Sequence, residues 1–270
     1  MSARVDPIRD PVSDPAHDPI VVEHLRSGFG TQIIHDDISF NVKAREIFVI
    51  LGGSGSGKSV LMRHLIGLQE PQAGRVLIEG ADIHQAQGKD RTVILRKMGV
   101  MFQLGALFGS MSLMENVTLP LETHTRLPPE AIRLIARMKL AMVGLSGFED
   151  YKPAQISGGM IKRAAIARAI ALDPQIVLLD EPSAGLDPIT SAGLDRLILN
   201  LRDSLGMTFI VVTHELESIL SIADRAIMLD KESKGIVATG TPEELRTHSG
   251  NHRVRQFFNR EADEEGMNSK

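Results

Sequence analysis

Gly52-Gly53-Ser54-Gly55-Ser56-Gly57-Lys58-Ser59 is the stretch that decides the fold of this chain. It fits the pattern G-x-x-x-x-G-K-[ST] of a phosphate-binding loop. The apolar run Ile47–Leu51 leads into it as a strand, and Leu61, Leu65 and Ile66 lead out at helical spacing. Four glycines let successive backbone N–H groups turn inward and form a concave anion cradle. The helix that follows points its positive end at the same phosphates. Lys58 is expected to reach the β- and γ-phosphates and the Ser59 hydroxyl to ligate Mg²⁺. Nucleotide binding is therefore assigned to Gly52, Gly53, Ser54, Gly55, Ser56, Gly57, Lys58, Ser59 and the adjoining Val60.

Working outward, Ile176-Val-Leu-Leu-Asp180-Glu181 is an apolar strand ending in two carboxylates. At the carboxyl edge of a parallel sheet, Asp180 would lie beside the phosphate loop and help hold Mg²⁺. Glu181, one residue on, suits orienting and polarising an attacking water. Other apolar runs read as strands at Ile20–Leu25, Ile38–Val42, Val76–Ile78, Val100–Phe102, Phe209–Val212 and Ala226–Leu229. Helical spacing runs from Pro128 to Val143 and through Leu194, Leu197, Ile198, Leu201 and Leu205. The fold class expected is α/β, strand-rich at its start, with a helical insertion in the middle.

Composition narrows the class of protein. The chain has 270 residues, 43% apolar and 24% charged, which is ordinary globular usage. A net charge of −4 argues against a broad electrostatic grip on nucleic acid. Zero cysteines exclude disulfides, thiolate metal sites and a cysteine nucleophile. Mean hydropathy is −0.01, and no run approaches the roughly 18 apolar residues of a spanning helix. Without an apolar signal stretch, a soluble intracellular protein is expected.

Asp180 follows Lys58 by 122 positions, and the gap contains Ser157-Gly158-Gly159 before the Ala-rich stretch Ala164–Ala171. Ser157 is a good N-cap, so taken alone this is a capped helix start with an anion-binding end and no lysine. With the other motifs, the sequence from about Ile20 to about Leu245 resembles the nucleotide-binding domain of an ABC-type ATPase. That resemblance implies a RecA-like core, an antiparallel β subdomain and a helical subdomain at about 104–172, within a domain of 20–247. It implies that Ser157, Gly158, Gly159 and Met160 complete the γ-phosphate site of an opposite copy, so that two copies sandwich two ATP molecules. Gln103 matches a glutamine that contacts the metal and senses the membrane partner. Ser183 and Asp187 match a loop that communicates across the dimer. His214 matches the histidine that contacts the γ-phosphate, which makes Glu181 and His214 the catalytic pair. Phe29 stands where the family stacks a tyrosine on adenine, and an aromatic face suffices for that. Met160 replaces the usual glutamine, with Ser157 and the glycines still carrying the phosphate contacts.

Phe102-Gln-Leu-Gly-Ala-Leu-Phe108, the Met160 variant, Ala167–Pro174, Asp187-Pro-Ile-Thr190, Leu220–Asp224 and Arg253–Phe257 are similar to the ATPase subunit of Mla/Mce-type lipid transporters. The resemblance implies an ATPase powering phospholipid movement between inner and outer membranes, peripheral on the cytoplasmic face of the bacterial inner membrane. Its implied partners are permease subunits, an MCE-domain substrate-binding protein and a STAS-domain protein. Mce-type import of sterols or other hydrophobic substrates is one alternative, and an ATPase regulating cell-wall remodelling is another. A translation or DNA-repair ATPase fits poorly, since there is a single phosphate loop and no sustained heptads. Apolar Leu104, Ala106, Leu107, Phe108, Met111 and Leu113 after Gln103 either cradle a helix of a permease or pack inside the helical insertion.

The ends read differently. Asp6-Pro7, Asp10-Pro11, Asp14-Pro15 and Asp18-Pro19 recur every four residues, so 1–19 reads as an extended leader. The 248–270 segment ends in Glu261, Asp263, Glu264 and Glu265, and Phe257 and Phe258, beyond the core, suggest docking on a neighbouring subunit. His248 and His252 are four apart, but Ser249-Gly250 between them argues against a helical metal pair.

Overall fold

The computed structural model describes residues 18–260. The first three Asp-Pro pairs and the acidic residues from Glu261 onward lie outside them. The fourth pair belongs to the folded body: Asn41 donates to the Asp18 carboxylate (2.6 Å), and the Glu79 N–H donates to the Pro19 carbonyl (2.9 Å).

Strands β1 (Ile20–Phe29) and β2 (Gln32–Val42) form a hairpin, followed by β3 (Ile47–Gly52) and α1 (Lys58–Leu65). Then come β4 (Ala73–Ile78), β5 (Ala81–Asp82), α2 (Gly88–Arg96) and β6 (Met98–Met101). Three helices interrupt the strands: α3 (Leu113–His124), α4 (Pro129–Met142) and α5 (Gly158–Ala169). The chain closes through β7 (Ile176–Asp180), α6 (Pro188–Leu205), β8 (Thr208–Val212), α7 (Leu216–Ile222), β9 (Arg225–Asp230), β10 (Gly235–Gly240), α8 (Pro242–His248) and α9 (His252–Asn259).

Two sheets result. One is antiparallel, in the order β2-β1-β4-β5; the other, in the order β10-β9-β3-β8-β7-β6, is parallel except for the edge strand β10. Central β3 is buried throughout, and its alternation divides the interior in two. Ile47, Val49 and Leu51 pack into a cluster with α3, α4, α5 and α6, while Phe48 and Ile50 face α1 and the antiparallel sheet. Phe40 stacks on Phe48 at 5.3 Å between centroids, and the Arg225 guanidinium covers the same ring at 5.4 Å. Arg225 also pairs with buried Glu46 (3.1 Å) and donates to Asn41 of β2 (3.4 Å), a polar contact between the two sheets. Every strand named from sequence forms. The sequence did not announce β10 or α3. Edge strand β10 is glycine-bounded with little apolar pattern, and α3 carries Pro120 in its interior. A reciprocal Ser112–Glu115 capping box starts α3 all the same.

Helix α9 differs from expectation. Phe258 and Val254 are buried in the same cluster as the helical insertion, with Phe257 packed against it. Both phenylalanines therefore belong to this chain's own core. Arg253 anchors the helix to Asp230 and Glu232 at 2.7 Å each. Asn251 caps α9 only after α8 has ended at His248, so His248 and His252 share no helix. Among the described residues no cluster of three metal-ligating side chains occurs.

Candidate nucleotide site

The phosphate loop leaves β3 at Gly52 and enters α1 at Lys58, with the Ser56 N–H closing a turn onto the Gly53 carbonyl (3.2 Å). Gly57 sits at φ 93°, a left-handed conformation. A Cβ there would lie 2.3 Å from His35 Nε2 and 2.7 Å from Ile34 Cγ2. Strand β2 thus supports the loop from below through a fully buried histidine, whose Nδ1 pairs with the Ser27 hydroxyl (2.8 Å). Burial, with His64 nearby, pushes the His35 imidazole down to about 4 against a weaker opposing pull from the Ser56 backbone. It is therefore neutral at physiological pH. The Phe29 ring, 53% exposed, stands at the turn of the hairpin that carries His35.

Lys58 lies over its own loop, its ammonium donating to the Gly52 (2.7 Å) and Gly53 (3.2 Å) carbonyls. Burial lowers its pKa, while Glu181 and Asp180 oppose that shift. The two acids stand at the carboxyl end of β7. Burial raises the Asp180 carboxyl above its usual range, and the Glu181 charge beside it adds to this. Asp180 Oδ1, Glu181 Oε2, Ser56 Oγ and Ser183 Oγ are all buried without a protein hydrogen-bond partner. Native interiors rarely tolerate such groups. Hard oxygen donors held in this way fit Mg²⁺ with its waters and phosphates.

Glu181 itself adopts φ 45°, a left-handed conformation that costs a non-glycine residue about 1–3 kcal/mol and clusters at functional sites. Its N–H donates to the Val212 carbonyl (2.8 Å), and its Oε1 meets His214 Nδ1 at 2.8 Å. His214 is carried just beyond β8. The adjacent strands β7 and β8 thus hold a carboxylate and an imidazole in contact beside a cationic, glycine-rich anion cradle, the equipment for water activation at a phosphate.

On the other side of β7, the Ser157 hydroxyl caps α5 by accepting the Met160 N–H (3.3 Å). Ser157 and Gly158 face solvent, whereas Gly159 is buried. A Cβ on Gly159 would meet Thr190 Cγ2 at 2.5 Å. Asp187 caps α6, accepting the N–H groups of Ile189 (3.1 Å) and Thr190 (3.0 Å) and the Thr190 hydroxyl (2.5 Å). Gly158 and Gly159 therefore lie against Leu186 and Thr190, which joins the start of α5 to the start of α6.

A family model described as ABC transporter matches residues 35–184. The chain is 41% identical to a Haemophilus influenzae protein named "Intermembrane phospholipid transport system ATP-binding protein MlaF", over 90% of this chain and 91% of that protein. The chain belongs to the ABC transporter ATP-binding family. Escherichia coli K12 MlaF is 43% identical, over 87% of this chain and 86% of its own. A Mycobacterium tuberculosis relative named "Probable ribonucleotide transport ATP-binding protein mkl" is 44% identical over 89% of this chain, which spans 66% of that relative's length. Among solved structures, cbiO1 of Clostridium perfringens superimposes with a TM-score of 0.78 at 28% identity, covering 86% of this chain and 92% of that one. The cassette MJ0796, a dimer in a post-hydrolysis state bound to ADP and Pi, superimposes at 0.74 with 31% identity, covering 82% and 98%.

As an ABC cassette, the chain has a loop after β6 that carries Gln103, whose side chain faces solvent. Leu104 (87%) and Phe108 (50%) are exposed there, whereas Leu113 is buried and Leu107 packs on the core. Buried Asn116 braces the loop, accepting the Phe108 N–H (2.8 Å) and donating to its carbonyl (3.2 Å). Beside it a cavity of about 460 Å³ opens between α2, β6, α3 and α5, lined by Leu95, Arg96, Phe108, Leu119, Arg168 and Leu172. No described helix is long and apolar enough to cross a membrane. Three structurally central residues escaped the sequence reading: His35, Lys162 and Arg168. The one available signal was a lysine on the otherwise Ala-rich, buried face of α5; a histidine inside β2 gives no pattern at all.

Proposed function

We propose that this chain is the ATP-hydrolysing subunit of an ABC transporter that moves phospholipid between inner and outer membranes. It works as a pair of copies at the cytoplasmic face of the inner membrane. Hydrolysis is carried by one observation, the Glu181–His214 contact at 2.8 Å on the strand beside the Lys58 loop. The cargo rests on the MlaF relatives, which match over most of both chains.

The loop from Gly52 to Val60 cradles the phosphates while Phe29 stacks on adenine. Ser59, Gln103 and Asp180 would hold Mg²⁺, which when bound would offset phosphate charge. The exposed Ser157–Gly158 turn of one copy closes on the phosphates held by the other, with Gly159, Met160, Ser183 and Asp187 shaping the contact. Glu181 orients water and takes up its proton, and His214 steadies that carboxylate and the γ-phosphate. Loss of phosphate charge then releases the two copies. The exposed Leu104 and Phe108 and the adjoining cavity suit an amphipathic helix of a permease, so movement at Gln103 reaches the membrane. An MCE-domain protein and a STAS-domain protein complete the assembly.

Two measurements test this. Glu181→Gln should lower turnover about 10²–10⁴-fold with ATP binding retained, and undiminished turnover removes Glu181 from its role. Tagged protein purified from membranes should bring down permease and MCE-domain subunits with phospholipid. Because the Mkl relative is named for ribonucleotide transport, recovery of nucleotide cargo in place of lipid overturns the cargo assignment.

A further inference from the structure

Lys162 lies five residues after Ser157 on α5, with its side chain buried. A buried ammonium needs partners for its three donors. Among the described residues it ion-pairs with no carboxylate. It donates instead to two backbone carbonyls from different parts of the fold, those of Gln103 and Glu181, the latter at 3.1 Å. These two residues carry the proposed metal contact and the proposed base.

We propose that Lys162 is a positioning residue for hydrolysis, holding the Glu181 backbone in its left-handed conformation and tying the Gln103 loop to the same point. This rests on the reading of Glu181 as the base. The Glu181 peptide is gripped from both sides, by Val212 at its N–H and, at its carbonyl, by Lys162 (3.1 Å) and the local turn N–H of Ala184 (3.3 Å). Without the ammonium, the one long-range hold on that carbonyl is lost and only the Ala184 turn remains, so φ can relax from 45° towards the ordinary negative region, which swings the carboxylate away from His214. The Gln103 loop has a second hold on α5. Arg168 donates to the Ala106 (2.7 Å) and Gly105 (3.0 Å) carbonyls and lies over the Phe108 ring at 5.9 Å. Removing the Lys162 ammonium therefore loosens Glu181 while the loop stays attached to α5 through Arg168. The lysine is the point where α5, the Gln103 loop and the end of β7 meet.

The test compares Lys162→Met, Lys162→Arg and Glu181→Gln in the full chain. Lys162→Met should lower kcat on the order of 10–100-fold, as a misplaced base does, with KM for ATP within about threefold. Lys162→Arg, which keeps a cation within reach, should recover most of kcat. Without nucleotide, amide hydrogen exchange should quicken at residues 181–184 in Lys162→Met and change less at residues 104–108. Wild-type kcat in Lys162→Met alongside an inactive Glu181→Gln overturns the proposal. Equal losses of kcat and thermal stability in the Met and Arg variants overturn it too, since they mark a packing role. An active Glu181→Gln fails the underlying reading of the base, and the proposal with it.

Discussion

Gly57→Ala adds one methyl group where the phosphate loop touches β2, and its cost divides into two separable parts. The backbone at φ 93° penalises any L side chain by about 1–2 kcal/mol. The new Cβ would also lie 2.3 Å from His35 Nε2 and 2.7 Å from Ile34, and relieving such overpacking costs about 1–3 kcal/mol. Together these give about 2–5 kcal/mol, a large share of the 5–15 kcal/mol typical of a domain. His35→Ala removes the ring and relieves the share of the steric part that falls on His35, leaving the Ile34 contact and the backbone penalty. Urea denaturation of the wild type, both single variants and the double variant closes a cycle in which the loss of the Ser27 partner cancels. The coupling should be favourable by about 1–2 kcal/mol, since the Ile34 contact persists in the double variant. ATP affinity should follow the same order, since the methyl displaces the backbone that cradles phosphate. Coupling below about 0.5 kcal/mol, or a Gly57→Ala protein as stable as wild type, would refute the idea that β2 supports the loop.

Other outcomes are expected at separate points. His35 titrates at about 4 in the fold and near 6.5 when unfolded, so the unfolded chain takes up the proton first as pH falls. Its contribution is complete above about 6.5 and declines towards 4; by pH 5 the loss is about 2 kcal/mol. Burial also lowers the His64 and His84 pKa values, which act in the same direction. Denaturation midpoints measured from pH 7 to 5 should therefore fall less in His35→Leu than in wild type, and parallel curves would remove His35 as a source. Ser157→Ala should cost about 1 kcal/mol of stability through the lost cap. It should abolish most turnover while leaving ATP affinity of the single chain intact, because Ser157 serves the opposite copy's site; loss of that affinity contradicts the arrangement.

Much of the site was legible because its motifs are local. The phosphate loop, the strand ending in Asp180-Glu181 and the Ser157 cap each lie within a few residues, and each depends on backbone properties of glycine, serine or β-branched runs. The orientation of Glu181 was not legible. Its left-handed backbone is hydrogen-bonded to Val212 and Lys162, from a different strand and a different helix. Asp187 read as a dimer-facing residue, and the structure adds a second task for it, capping α6. The placement of Phe257 and Phe258 also differed, because a two-aromatic motif carries no information about which surface will cover it.

By itself the sequence determined an α/β nucleotide-binding protein with a glycine-rich phosphate cradle, paired acids and a helical insertion, since each follows from short-range spacing and backbone chemistry. Only the tertiary structure decided that a neutral histidine from β2 supports that cradle. It also brought one lysine of α5 onto the carbonyls of Gln103 and Glu181, residues 59 and 19 positions away along the chain. Contacts across such separations depend on how buried faces pack, and burial of a charge is decided by the partners the fold brings to it.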